Sequence, residues 1–291
     1  MAYQIKSPKS LDLEVRRIAH AEIRAAILAS RRIRTVPDAV HAVRSHCKRT
    51  RALLHLVKTG LGDRYRTEDH AIRDIARRLS TFRDADVMQT SLSELVRRVT
   101  IADSRCDFAP LSAGLATELA QRQSDQAART ALALSAESLS SCLQRVDAWS
   151  LKGRRAHIVS AGLAATYGRA QALMRAAASG GSAHQFHEWR KHVKYHWLQL
   201  KLIRPISSRV YPGRTKRMSE LSSLLGTLHD LDILDEWLRR SRKREHAATV
   251  LARTSKRRRL ALRESALTLA GTQFDREPME FVRPVGRNWP A

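Results

Sequence analysis

The sequence predicts an all-α protein built as two pseudo-symmetric helical bundle halves of about four helices each, enclosing a basic central groove. Three observations carry the helical class. Alanine, leucine and arginine dominate, glycine and proline are sparse at 12 and 8 of 291 residues, and period-two alternation of apolar and polar residues is hard to find. The two halves follow from an internal repeat. His41 stands 146 residues before His187, and Asp84 stands the same distance before Asp230. At that offset Arg44 meets Arg190, His46 meets His192, Lys48 meets Lys194, Leu79 meets Leu225 and Thr81 meets Thr227. The apolar pairs Val57/Ile203, Ile75/Leu221, Val87/Ile233 and Leu92/Leu238 keep the same register without an insertion.

Each element has a local reason. Ser10 opens a first helix over Leu11 to about Arg32, with Asp12 and Glu14 favouring its N-terminal dipole. Val36-Pro37-Asp38 starts a second, with Pro37 near the first helical position, ending near Gly60-Leu61-Gly62. Thr67-Glu68-Asp69 opens a third, and Thr81-x-x-Asp84 resembles a capping box opening a fourth. The pattern loosens after about Arg98. Asp107-Phe108-Ala109-Pro110 starts a long helix expected to persist to about Trp149, and Lys152-Gly153-Arg154-Arg155 is a basic linker. A helix over Ala156 to Ala178 stops at Gly180-Gly181. Ser182 opens a basic helix that ends near Pro205, and Pro212-Gly213 precedes a helix to about Leu225. Thr227-x-x-Asp230 is read as opening a helix that either continues or re-forms toward Leu269. After Gly271 come Pro278, Pro284 and Pro290, so residues 271–291 are expected to be an irregular tail.

Two of these helices carry almost the same face. His41-x-x-Arg44-x-His46-x-Lys48 and His187-x-x-Arg190-x-His192-x-Lys194 share one pattern. At about 100° per residue, His41, Arg44, Lys48 and Arg51 fall within an arc of roughly 80°, and His187, Arg190, Lys194 and Lys201 do the same. Matched cationic stripes suggest an anion site made twice. Asp84 and Asp230 are read as helix caps or as ion-pair partners that orient the stripes, rather than as metal ligands. His41 and His187 suit either direct phosphate contact or pairing with a carboxylate, and each has an ordinary pKa near 6.5, open to charging beside an anion.

These pieces resemble the CHAD family (conserved histidine α-helical domain). The first copy is His41-x-x-Arg44-x-x-x-Lys48-Arg49-x-Arg51 with Leu79-x-x-x-Arg83-Asp84-x-Asp86. The second is His187-x-x-Arg190-Lys191-x-x-Lys194 with Leu225-Gly226-Thr227-Leu228-His229-Asp230-x-Asp232. The resemblance covers roughly residues 10–270, with a first half at about 10–150 and a second at about 155–270. It implies an all-α protein that binds inorganic polyphosphate and associates with polyphosphate granules, without catalysis. Trp197 stands where the second copy usually has Arg, and Ser80 where the first often has the Gly that Gly226 supplies. No E-x-E-x-K motif of a triphosphatase is present.

Charge points the same way. Lys and Arg number 53 against 28 Asp and Glu, a formal net charge of +25 that calls for a polyanionic partner. Polyphosphate has no bases and no preferred face, so a row of donors at matching pitch suffices. Arg offers a bidentate fork and Lys a mobile point charge. The candidate contacts are His41, Arg44, Lys48, Arg49, Arg51, Arg73, Arg77 and Arg83 in the first copy. In the second they are His187, Arg190, Lys191, Lys194, Lys201, Lys216 and Arg217. Asp84, Asp86, Asp230 and Asp232 are the orienting candidates. The alternative is a sequence-nonspecific nucleic-acid binder, which shares the charge. Aromatics are only 5%, however, and none interleaves the stripes for stacking. No cofactor, metal site, Gly-rich phosphate loop or nucleophile–base pair is read, so no catalytic residue is expected. Lys256-Arg257-Arg258-Arg259 is expected to be a solvated face. Cys47, Cys106 and Cys142 are scattered, as in a reducing compartment, and no apolar run suits a bilayer span or a signal core. The expected location is cytoplasmic, with granule association.

Overall fold

The apolar periodicity is realised as an all-helical fold in a computed structural model that describes residues 3–99, 106–122, 124–241 and 246–290. The helices are α1 (Leu11–Arg31), α2 (Val36–Leu56), α3 (Lys58–Leu61), α4 (Arg64–Arg78), α5 (Ser80–Val96), α6 (Ala109–Arg122) and α7 (Asp125–Arg145). They continue with α8 (Arg155–Ala178), α9 (Ala183–Leu202), α10 (Arg204–Val210), α11 (Arg214–Ser241), α12 (His246–Gly271) and α13 (Pro278–Arg287). No strand occurs among the described residues. The loosened stretch after Arg98 and the α11–α12 junction fall partly outside them.

The two basic helices sit at the centre. α2 packs on α1, α4 and α9, and α9 packs on α8 and α11. Their cores are continuous: Val43, Cys47, Leu53, Leu54, Trp189, Val193, Leu200 and Leu202 are all 1% exposed or less. The N-termini of both helices are set locally. Thr35 Oγ1 accepts from the Asp38 backbone N–H at 3.3 Å, with Pro37 in the first turn. Ser182 and Gln185 form a capping box ahead of α9.

Several boundaries differ from the sequence reading. α5 begins at Ser80, with no side-chain cap at Leu79, so Thr81 and Asp84 lie inside its first turns. Thr227 and Asp230 lie deep inside α11, which runs unbroken because Leu221, Leu225, Leu228 and Leu231 form one buried stripe. That stripe stabilises continuation more than a capping signal can interrupt it. The expected 107–149 helix is two, α6 and α7. Ser124 supplies the break by accepting from the Ala127 N–H at 3.1 Å.

The tail is also not irregular throughout. Pro278 serves α13 as a first-turn residue, and Phe281, Val282 and Val285 bury one face. Phe281 stacks on Tyr167 and Tyr211 at centroid distances of 4.2 and 4.5 Å. Gln171 Nε2 donates to the Phe274 and Arg276 carbonyls, both at 2.8 Å, and so ties the incoming chain to α8.

The crossing of α8 over the end of α2 depends on Gly162, because an added Cβ would collide with the Leu56 carbonyl and Cα. Backbone on both sides leaves no flexible side chain to move aside. Gly162→Ala is therefore expected to destabilise the fold by about 3 kcal/mol, read as a shift in urea midpoint. Unchanged stability would show that α8 does not approach α2 this closely.

Candidate anion-binding groove

α2, α5, α9 and α11 bring their polar faces to a common cleft. Its inner part is lined by His41, Arg44, Lys48, Arg83, Asp84, Arg190, Lys194, Gly226, His229 and Asp230 and encloses about 210 Å³. Its wider part, about 620 Å³, adds Arg51, His55, Arg73, Arg77, His187, Glu188, Lys191, His192 and Tyr195. Arg44, Lys48, Arg190 and Lys194 line both parts, so the two stripes share one concavity.

Arg44, Lys48, Arg190 and Lys194 are crowded and close no ion pair among the described residues. Arg44 donates to the Ala76 carbonyl, while its Nε and that of Arg190 are buried without a hydrogen-bond partner. Burial, then Arg190, Arg44, Lys194 and Arg83, push the Lys48 ammonium down to about 7. Burial, then Arg190, Lys201 and Arg49, push Lys194 down to about 8. Asp84 and Asp230 lie within reach of this field. Burial raises both carboxyls, and the leading opposing influence is Arg44 on Asp84 and Arg190 on Asp230. Each aspartate thus faces the arginine of its own copy, without capping a helix.

At the rim, cations are paired. Arg51 holds Asp69 with Nε and Nη2 at 2.8 and 3.0 Å. Lys191 pairs with Glu188 at 2.7 Å and Arg73 with Asp74 at 3.1 Å, and in the inner part Arg83 pairs with Asp86. Arg73 and Arg77 are exposed lips. Asp86 is thus the ion-pair partner of a groove cation.

Five expected residues stand elsewhere. Arg49 is rotated off the α2 stripe and lies 3.5 Å from Glu22 and 6.0 Å from the centroid of the Tyr3 ring. Lys201 rests on Trp197, outside the cleft lining. Lys216 and Arg217 are exposed at the start of α11, roughly three turns before its groove-facing residues begin at Gly226. Asp232 points to α12, where it accepts from Arg259 at 2.7 Å. Arg259 also pairs with Asp235 at 3.0 Å, so that part of the Lys256–Arg259 run is an internal tie and not a solvated face.

The histidines play a different part from the expected one. His187 meets another histidine, not a carboxylate: its Nδ1 is 3.1 Å from Nδ1 of His229. Burial and then Arg190 push His187 to about 4 and His229 to about 3, and burial with Arg169 pushes His192 to about 4. Burial and Arg83 also lower His41. These rings are neutral hydrogen-bonding groups at pH 7, not cations. His229 was missed as a site residue although the repeat register pairs it with Arg83. His192 stands in the pattern shared with His46, which put it on the helix without showing that it reaches the cleft; His55 and Tyr195 had no comparable signal, because their rings reach the cleft only through the packing of α2 on α9.

Fold and cleft together define an all-α protein with an internal, arginine- and lysine-lined groove. The CHAD domain family model matches residues 17–239, and the chain belongs to that family. The crystal structure of the CHAD domain from the plant Ricinus communis has a similar fold, with a TM-score of 0.56 at 18% identity. That likeness covers 100% of this chain and 95% of the other. No curated protein matches the chain. Among the described residues no group of three or more His, Cys, Asp or Glu is placed to hold a metal, and no helix is long and apolar enough to cross a membrane.

The depressed histidines make stability depend on pH. An unfolded histidine binds its proton near pH 6.5, whereas the folded His187, His192 and His229 bind theirs near 3–4. Between those values the unfolded chain holds more protons, so stability falls as pH drops through 6.5. Melting temperature is expected to decrease from pH 7.5 to 5.5, and His229→Gln to flatten that dependence. A slope equal to wild type in His229→Gln would show that this ring does not contribute.

Proposed function

We propose that this protein binds inorganic polyphosphate in the groove between α2 and α9, and that it serves granule association or scaffolding by binding without turnover. The observation that supports this best is the excess of cations at the centre of the groove, where four of them face two aspartates. Burial and then the neighbouring cations lower the Lys48 and Lys194 ammoniums, and none of Arg44, Lys48, Arg190 and Lys194 closes an ion pair among the described residues, although Asp84 and Asp230 line the same cavity. A chain with a charge on every phosphate relieves that repulsion along its whole length. Arg44 and Arg190 offer planar donors, Lys48 and Lys194 compact ones, and the neutral His187 and His229 add hydrogen bonds without further repulsion. The partner has no bases to stack, which suits a cleft whose Tyr195 ring is already packed against His55 at 4.5 Å.

Counterion release sets the salt dependence. A single-stranded polyanion loses affinity with a log–log slope of roughly −0.7 per neutralised phosphate. Four engaged cations give a slope of about −3, and the nine arginines and lysines that line the cleft give about −6. Long-chain polyphosphate is expected to fall within those limits and to displace DNA at equal charge concentration. Equal or better binding of DNA would favour the nucleic-acid reading. Release of phosphate on incubation with a divalent metal would overturn binding without turnover.

Binding is also expected to take up protons. An anion restores the Lys48 and Lys194 ammoniums, so affinity rises as pH falls from 9 to 7, by about tenfold or more. Calorimetry in buffers of different ionisation enthalpy measures that uptake. Arg190→Ala is expected to weaken binding about tenfold while leaving the melting temperature equal or higher, because it removes a crowded cation. A lowered melting temperature with unchanged affinity would make Arg190 a structural residue.

A further inference from the structure

Beyond Lys48 and Lys194 the two basic helices stop being alike. At the offset of 146, Arg51 corresponds to Trp197 and His55 to Lys201. Arg51 is closed off by its two bonds to Asp69. Trp197 does the opposite. Its ring lies under two ammoniums, with Lys194 Nζ 4.1 Å and Lys201 Nζ 5.0 Å from the centroid. Positions 194, 197 and 201 share one face of α9. An aromatic face attracts a cation through its quadrupole and brings no net charge, so it holds both lysines in place and neutralises neither. A carboxylate in the same position would fix them and cancel them.

The surroundings extend this cationic strip. Burial, then Arg49 and Arg204, lower the Lys201 ammonium, and Glu22 opposes them. Glu22 already accepts from His46 at 2.7 Å and lies 3.5 Å from Arg49, so its charge is shared before it reaches Lys201. Lys194 joins the strip to the groove, because it lines the cleft and also touches Trp197. Trp197 is half-buried, whereas Trp149, Trp189, Trp237 and Trp289 are 8% exposed or less.

We propose that Lys194, Trp197 and Lys201 form an exit subsite, which takes the phosphates of a polyanion chain leaving the groove, and that Trp197 is the positioning residue that keeps both ammoniums available. This rests on the reading of the groove as a polyphosphate site. Its consequence is selectivity for chain length. A chain that ends within the groove does not reach Lys201, and a longer one does.

The test compares tripolyphosphate with long-chain polyphosphate by titration calorimetry at fixed salt. Lys201→Ala is expected to leave tripolyphosphate affinity within about twofold and to weaken the long chain about fivefold. Trp197→Leu is expected to weaken the long chain more than Lys201→Ala does and tripolyphosphate to a smaller extent, because it frees Lys194 in the groove as well as Lys201, and Trp197→Phe to recover part of both losses, since the phenyl face retains a weaker attraction for cations. Long-chain polyphosphate is also expected to protect wild-type fluorescence from acrylamide more than tripolyphosphate does, because Trp197 is the accessible indole. If wild type binds both polymers and Lys201→Ala weakens both alike or neither, the exit subsite is wrong and the groove reading stands. If wild type binds neither, the groove reading fails and this proposal fails with it.

Discussion

Burial of several cations side by side between α2 and α9, with the repulsion that follows, is the constraint on which the groove depends. Two like charges about 4 Å apart repel by about 4 kcal/mol at an effective dielectric near 20, so a cluster of them tends to open the cleft that holds it. The opposing force sits on the other sides of the same helices. Val43, Cys47, Leu54, Trp189, Val193 and Leu200 are almost wholly buried, and full burial of such side chains is worth about 1.5–3 kcal/mol each. The apolar faces of α2 and α9 therefore hold in place the polar faces that repel.

The protein treats its cations in two ways. At the rim and beyond, they are satisfied: Arg51 by Asp69, Arg145 by Glu68, Arg259 by Asp232 and Asp235. Arg214, buried near α13, lies 4.5 Å over the Phe281 ring and donates to the Gln273 carbonyl. In the centre the response is suppression of charge. Lys48 and Lys194 hold their protons weakly and the histidines are neutral, while Arg44 and Arg190 cannot follow, since a guanidinium stays charged. Those arginines outside the centre close ion pairs or ring contacts within the chain, whereas Arg44 and Arg190 close no ion pair among the described residues and each keeps a buried Nε without a hydrogen-bond partner. That contrast separates the groove from the general basicity of a +25 chain.

Burial also explains why the histidine pattern is a poor guide to charge. His46 and His192 hold equivalent places in the repeat, yet His46 contacts Glu22 and His192 faces the cleft beside Tyr195. The helix places a residue on a face, but the neighbouring element decides whether that face meets a carboxylate, an aromatic ring or open space. Arg49 and Tyr195 differ for the same reason at the next equivalent pair.

The sequence by itself determined the helical class, the two basic stripes and the residues at the centre of the groove. Helical periodicity is local, and a cation on the face opposite a buried Val or Leu has few places to go. Only the tertiary structure decided where helices run through a capping signal, as α11 does at Thr227, or form despite prolines, as α13 does. It alone showed Arg49, Lys201, Lys216, Arg217 and Asp232 outside the cleft lining and His229 within it. Those outcomes depend on contacts between residues far apart in the chain. Continuous apolar stripes find partners there, and the resulting burial outweighs the preferences of a single turn.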